Sequence, residues 1–554
     1  MESWIRYTGN YWNRIQRNDL QTQGTQTLCL SEGEEEEMTT VVLGLDGGCF
    51  ELIQPWIDDG TLPTFSKLTE DGVASDMQSC LPPVTCPNWQ CYATGTNPGK
   101  LGVFWWEAVD RDARTIENRS SAGDFDGTHY WRLLEGDTAV VNLPTSYPPS
   151  EIDGIHVAGG PGAEQAGYTQ PESLEEELRE RYDYAVHPEK MSLLSGDNPD
   201  NECVPEIYDL IDMRFDVLED QLESGEYELI HVTVFYLNVL QHFYWDMDVV
   251  KRAWERIDER VSQLLEMQEL ENFFVMSDHG SNGIETTFRV NTWLEQHGYL
   301  QTESSISDYL HRAGITQERV RPILAKLGVE WWARRLLPER VQMLLPDEEG
   351  SVDKSGKADV IDWESSQVVA SGQGPVYVLA DHPQERERIV DELVDDLEGI
   401  TDPDGNPVFD QVLRGEDVYS GPYVDRGPDV VLDQAAGVHI EGKIGHDGAF
   451  GSPSKWHGEN KDTGMFIAHG PEIDGNESLT DMHILDIAPT LLHLHGGGVP
   501  ERMDGDVKRE LFAAESEPAN REVQRIDAED IDSAESRTVE SDVADRLEDL
   551  GYME

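Results

Sequence analysis

From residue 38 onward, short apolar runs alternate with stretches whose apolar positions recur at helical spacing. The runs fall at residues 40–45, 139–142, 229–235, 273–276 and 465–468. Each is apolar at successive positions, the mark of a strand buried on both faces. Strands separated by helices predict an α/β fold with a mostly parallel central sheet covered by helices on both faces. Between residues 300 and 362 the pattern turns helical, at 317–327 and 330–345, which predicts a helical insertion or cap. A further helix at 384–397, opened by Pro383, lies between Tyr377-Val-Leu and a Pro/Asp/Gly turn and predicts a smaller subdomain. Val539, Val543, Leu547 and Leu550 then repeat at helical spacing and predict a terminal helix docked on the surface. The resulting division is an N-terminal extension at 1–37, a main domain at 38–299 and 363–514, the insertion at 300–362, and an acidic tail at 515–554.

Charge changes this picture in one respect. Across 554 residues, 41 Lys and Arg face 110 Asp and Glu, a formal net charge of −69. That excludes generic binding to nucleic-acid polymers or anionic membranes. Such charge suits disorder, yet 38% apolar residues with 14 Trp, 18 Tyr and 14 Phe are enough for a large core. Residues 1–37, without periodicity and ending in Glu34-Glu35-Glu36-Glu37, read as a disordered extension, and the acidic stretch 515–532 as mobile. The acidic excess, with 11 Lys against 30 Arg, resembles that of proteins from salt-loving archaea. At roughly 1 M salt the Debye length is about 3 Å, so the self-repulsion of such a surface is screened. No apolar run reaches the length of a membrane span, and Met1 is not followed by a hydrophobic signal core, so a soluble cytoplasmic protein is expected. Six Cys without a CxxC pair predict free thiols.

Three segments carry candidate chemistry. Asp46 closes an apolar strand before Gly47-Gly48, and Asp278-His279 leaves a second strand. Both would lie at the carboxyl edge of a parallel sheet, where open α/β folds keep their sites. Thr85, in Pro-Pro-Val-Thr85-Cys-Pro-Asn-Trp, falls near a helix amino end. There it either caps the helix or, with the dipole and open N–H groups stabilising an anion, serves as a nucleophile. Asn238 and His242 stand four apart on one helical face. His457 precedes the strand at 465–468, with His446 as a rival in Gly-His-Asp-Gly. Capping or surface roles are expected for His483, His493 and His495. Cys86 lacks the spacing and the Arg of a sulfatase motif, and Gly159-Gly160-Pro-Gly162 lacks the context of a P-loop.

Together these motifs, with Ala-Thr-Gly-Thr-Asn-Pro-Gly99, Gln241-His242-Phe-Tyr-Trp and Asp486-Ile-Ala-Pro-Thr, resemble the alkaline phosphatase superfamily. Within it they resemble the type I phosphodiesterase/nucleotide pyrophosphatase family. The resemblance implies two divalent metal ions, zinc or manganese with magnesium as the harder alternative. Asp46, Asp278 and His279 would hold the metal that activates Thr85, itself a ligand; Asn238, His242 and His457 would hold the second. It implies a phospho-threonine intermediate and a small phosphorylated substrate, a phosphodiester or nucleotide pyrophosphate. Asn88, Trp105 and Trp106 are candidates for the substrate side, where the two tryptophans could stack on a base, with a place in the core as the favoured alternative for them. Asn238 departs from the family, which has an Asp there, so the second metal loses an anionic ligand; Asp246 is a candidate to compensate. Two rival expectations follow. One is a phosphomonoesterase or a phosphotransferase of the phosphoglycerate mutase type, the other a binding protein of this fold weakened in catalysis.

Overall fold

The computed structural model describes residues 39–302 and 358–527, apart from 197, 359, 447, 454 and 476–478, together with 546, 547 and 550. The expected extension at 1–37 and nearly all of the expected cap at 300–362 lie outside the described residues.

The five apolar runs become strands Thr39–Leu45, Thr138–Pro144, Leu229–Val234, Leu270–Met276 and Thr463–His469. They join a nine-stranded sheet ordered Met482–His483, Val73–Gln78, Thr463–His469, Leu270–Met276, Thr39–Leu45, Leu229–Val234, Thr138–Pro144, Gly154–Gly159, Thr169–Gln170. Thr39–Leu45 runs parallel to both neighbours, and so do the strands out to Gly154–Gly159. Thr463–His469 is antiparallel to both of its neighbours, so the sheet is mostly parallel with a reversed member. Every residue of the central strand is buried, which explains its unbroken apolar sequence.

Helices flank this sheet. In Asp248–Leu264, Val250, Ala253, Trp254, Ile257, Val261 and Leu264 are buried at 3.6-residue spacing while the charged residues largely face water. Cys203–Ser224, a partner of that helix, stops at Gly225, whose φ of +61° closes the last turn in the left-handed region. The expected smaller subdomain is an antiparallel sheet ordered Val368–Ala370, Pro375–Val378, Val430–Gln434, Phe409–Arg414. Helix Pro383–Leu397 covers it and buries Ile389, Val390, Leu393 and Leu397 in a separate core. Among the described residues of the tail, Arg525–Ile526 pairs with Val499–Pro500, and Leu547 and Leu550 are buried in the main core.

Candidate active site

Asp46 follows directly on the central strand and Asp278-His279 on its neighbour, so parallel pairing brings both motifs to one sheet edge. Thr85 opens helix Thr85–Thr94, whose N-cap is Val84, a residue with no side-chain cap to offer. The Thr85 hydroxyl is not occupied in capping. Its Oγ1 lies 3.3 Å from Asp46 Oδ1 and 3.3 Å from His279 Nε2. Asn88 holds the preceding loop: its Oδ1 accepts from the Cys80 N–H, and its Nδ2 donates to the carbonyls of Cys80, Pro82 and Val84.

The electrostatics of this group call for added positive charge. His279 Nδ1 donates to the Gly280 carbonyl at 2.9 Å, so Nε2 presents a lone pair. That lone pair sits 3.2 Å from Asp278 Oδ2 and 3.8 Å from Asp46 Oδ1. Asp278 Oδ2 is buried and accepts no hydrogen bond. Burial pushes the Asp278 carboxyl up to about 7, against hydrogen bonds from backbone N–H groups, that of Gly47 first. Burial and then the Asp278 charge hold Asp46 well above its ordinary range, while His279 and the donors Trp89 and Thr85 pull the other way. Burial also lowers His279. Two carboxylates and an imidazole lone pair therefore converge with protons as their only internal compensation, an arrangement that fits a divalent cation with oxygen and nitrogen ligands. Among the described residues, Asp46, Asp278 and His279 form the one group of three acidic, His or Cys side chains able to hold a metal.

A second layer fixes the edge. Trp89 Nε1 donates to Asp46 Oδ2 at 2.8 Å. Gln241 Nε2 and Ser281 Oγ both donate to the Gly47 carbonyl, at 2.9 and 2.8 Å. Gly47 itself has φ +70°, and a Cβ there would stand 2.4 Å from Asn238 Oδ1, so the position admits only glycine without strain.

Asn238 and His242 are therefore beside the first group, on helix Tyr236–Tyr244, and both are buried. His242 Nδ1 donates to the Gly458 carbonyl at 2.9 Å, its ring stacks on Trp456 with centroids 3.7 Å apart, and burial pushes it down to about 4. His457 is different. Its backbone N–H donates to the His242 carbonyl, but its half-buried ring turns to Gly196, where a Cβ would meet Nε2 at 2.3 Å. The imidazole expected as a ligand thus points into a loop. His446, the rival, lies 3.3 Å from Glu441.

The residues that sequence reasoning missed are Glu459 and His439. Glu459 is buried on strand Gly458–Lys461; one carboxylate oxygen pairs with His439 Nδ1 and the other accepts from Gln373 Nε2 at 2.8 Å. Burial would raise Glu459, but the His439 charge and hydrogen bond, His242 and Gln373 outweigh it and hold it below its ordinary range.

Of the candidates for the substrate side, Trp105 and Trp106 follow the favoured alternative and are core residues, 2% and 0% exposed, and Trp105 Nε1 donates to Gln373 Oε1. They back the site from inside the protein instead of offering faces to a ligand. The Asn88 amide is consumed by backbone and holds the loop that presents Thr85. Elsewhere, His483 accepts from the Leu485 N–H as a cap, His495 pairs with Glu228, and His493 is buried against the Pro518 carbonyl instead of lying on the surface. Cys49, Cys80, Cys86, Cys91 and Cys203 are free and buried. Among the described residues no helix is long and apolar enough to cross a membrane.

A threonine at a helix amino end, facing two carboxylates and a histidine at the carboxyl edge of a mostly parallel sheet, defines an alkaline phosphatase-like α/β architecture. The chain belongs to the type I phosphodiesterase/nucleotide pyrophosphatase family, whose model matches residues 40–471. It is thereby placed among metal-dependent phosphoester hydrolases. Among solved structures it is similar to phosphonoacetate hydrolase from Sinorhizobium meliloti 1021 in complex with phosphonoformate, at 14% identity and a TM-score of 0.52, over 82% of this chain and 94% of that one. Human ectonucleotide pyrophosphatase/phosphodiesterase 5 aligns at 14% identity and a TM-score of 0.45, over 86% of this chain and 99% of that one. An inactive murine form of that protein in complex with AMP gives 13% and 0.45, over 86% and 100%. No curated protein matches the chain in sequence.

Proposed function

We propose that the protein hydrolyses a small phosphodiester or nucleotide pyrophosphate through a phosphoryl group carried on Thr85. The observation that carries this reading is the position of Thr85 Oγ1, 3.3 Å from both Asp46 Oδ1 and His279 Nε2 at the amino end of its helix. The hydroxyl oxygen attacks phosphorus, the Oγ–P bond forms as the bond to the leaving oxygen breaks, and water then cleaves the phospho-threonine ester and restores the hydroxyl. The helix dipole and the Cys86 N–H at this helix start favour phosphate oxygens there; Pro87 has no N–H, and that of Asn88 donates to the Val84 carbonyl. Divalent cations, zinc or manganese, would neutralise phosphoryl charge and lower the pKa of the nucleophile. Asp46, Asp278, His279 and Thr85 would hold one, and Asn238 and His242 belong to the second. Trp89, by donating to Asp46, and Gly47, by allowing the close approach of Asn238, keep these donors in register. The working solvent in this reading is molar salt, in keeping with the net charge of −69.

The test is turnover in molar KCl of bis-p-nitrophenyl phosphate and p-nitrophenyl phosphate, with manganese or zinc supplied or chelated. Chelator-sensitive turnover that disappears in Thr85→Ala is the expected result. A preference for the diester separates this reading from a phosphomonoesterase. Equal rates in wild type and Thr85→Ala would overturn it.

A further inference from the structure

The indole of Trp89 donates to Asp46 Oδ2 at 2.8 Å, so the direction of that carboxylate depends on what fixes the Trp89 ring. The ring is wedged between its own helix and the sheet. On the sheet side it lies against Gly44, two residues before Asp46 on the central strand. A Cβ at Gly44 would stand 2.5 Å from Trp89 Cη2 and 2.9 Å from Cζ3, so a side chain there would displace the indole.

The other neighbours of the ring are polar. His231 and Thr233 share one face of strand Leu229–Val234, and the register sets Thr233 beside Gly44. Trp89 meets Tyr92 and His231 edge-on, with centroids 5.9 Å apart in each pair. His231 Nε2 lies 2.8 Å from Thr233 Oγ1 and its Nδ1 3.0 Å from the Tyr92 hydroxyl, which in turn lies 2.8 Å from the hydroxyl of Tyr130. Thr233, His231, Tyr92 and Tyr130 thus form one hydrogen-bonded chain, and all four are buried. Burial pushes His231 down to about 3, so the neutral ring has one donor and one acceptor, and both are used. Apolar side chains would fill this volume without the cost of burying polar groups. A satisfied polar chain instead holds its members in one arrangement, and the ring it borders is the one that holds Asp46.

We propose that Gly44 and His231 are positioning residues for the Asp46 carboxylate and act through Trp89. Gly44 leaves room for the indole, and His231, held by Thr233 and Tyr92, fixes its tilt. The inference rests on the reading of Asp46 as a cation ligand.

The test uses the full-length protein in molar KCl with its tryptophans labelled with nitrogen-15. The Trp89 indole N–H resonance is identified by its loss in Trp89→Phe. Gly44→Ala and His231→Leu are each expected to move that resonance upfield as the bond to Asp46 lengthens. Both are also expected to weaken the tighter-bound manganese, followed by electron paramagnetic resonance, at least about threefold. Leu222→Ala, a cavity in the buried face of helix Cys203–Ser224, is expected to lower the unfolding temperature and to change neither readout. An unmoved resonance in Gly44→Ala and His231→Leu, or one that moves with no loss of manganese affinity, overturns the assignment, and so does an equal change in Leu222→Ala. Should neither variant fold, Tyr130→Phe, which removes one hydroxyl from the end of the chain, is read in the same way, and an unmoved resonance there overturns it. A wild type that binds no manganese would end the reading of Asp46 as a cation ligand, while the indole resonance would still decide whether Gly44 and His231 hold Trp89.

Discussion

The two halves of the site are built from different kinds of chain. Asp46, Asp278 and His279 end two adjacent parallel strands, and Thr85 comes from one helix start, so a single sheet edge sets all four. Asn238 and His242 come from a helix, and the Glu459–His439 pair from two short strands of different sheets, Gly458–Lys461 and Val438–Glu441. The first half is aligned by the core of the main sheet. The second depends on how smaller elements settle against that sheet. Geometry that a buried sheet enforces tolerates change elsewhere, whereas geometry assembled from several small elements is sensitive to each of them.

The largest expected effect breaks the first half outright. Thr85→Ala should lower turnover by at least about 10³-fold while the unfolding temperature stays near wild type, because the nucleophile is lost and little packing goes with it. A smaller loss would mean that the helix amino end, not the hydroxyl, does the chemistry.

Next comes proton competition at Asp278. Its carboxyl is raised to about 7 by burial, so a cation must displace a proton below that pH. Cation affinity, measured by calorimetry, should rise about tenfold per pH unit toward pH 7 and level off above it. The sign for the cation-free protein is opposite. A folded-state pKa above the unfolded value means that the native state binds more protons, so this group's stabilising contribution is lost as pH rises from about 4 to about 7. Thermal unfolding of the chelated protein should show that fall, and adding manganese at pH 8 should reverse it. Flat affinity across this range would show that Asp278 is already ionised without the cation.

Trp89→Phe removes the donor to Asp46 Oδ2 and leaves a buried carboxylate oxygen without it. The expected loss is about 1–3 kcal/mol by chemical denaturation, larger without cation than with it. The smallest effect belongs to His457→Ala. Its ring lies against Gly196, so turnover and cation count should stay within about twofold of wild type. A lost cation there would restore His457 to the second half.

The same contrast explains how much could be read from sequence. Asp46 and Asp278-His279 were visible because an apolar run ending in a ligand residue needs only local pattern to be recognised, and the sheet followed from those runs. Thr85 was visible through its Pro-flanked helix start, although a capping role could be set aside only when Val84 proved to be the cap residue. Glu459 was not visible. One glutamate among 110 acidic residues carries no mark of its own, and its neighbour His457 has the more conspicuous side chain. What Glu459 meets is set by the register of its strand with Gly280–Gly283, a contact between segments nearly two hundred residues apart. Trp105 and Trp106 left two readings open in sequence, because a conspicuous aromatic pair says nothing about which side of it is solvent; burial decides for the core.

Trp456, the plate on which His242 stacks, donates its indole N–H to the carbonyl of Leu550 at 3.0 Å. Nearby in sequence, Arg546 donates to the carbonyls of Pro161 and Ala163. The imidazole is thus braced by a stretch of polypeptide made 94 residues after the tryptophan. During synthesis the centre cannot be finished until residue 550 has left the ribosome, so a nascent chain that already holds the whole main sheet is still an unfinished catalyst. For anyone trimming the protein, a cut upstream of Arg546 would spare every candidate ligand and yet loosen one of them.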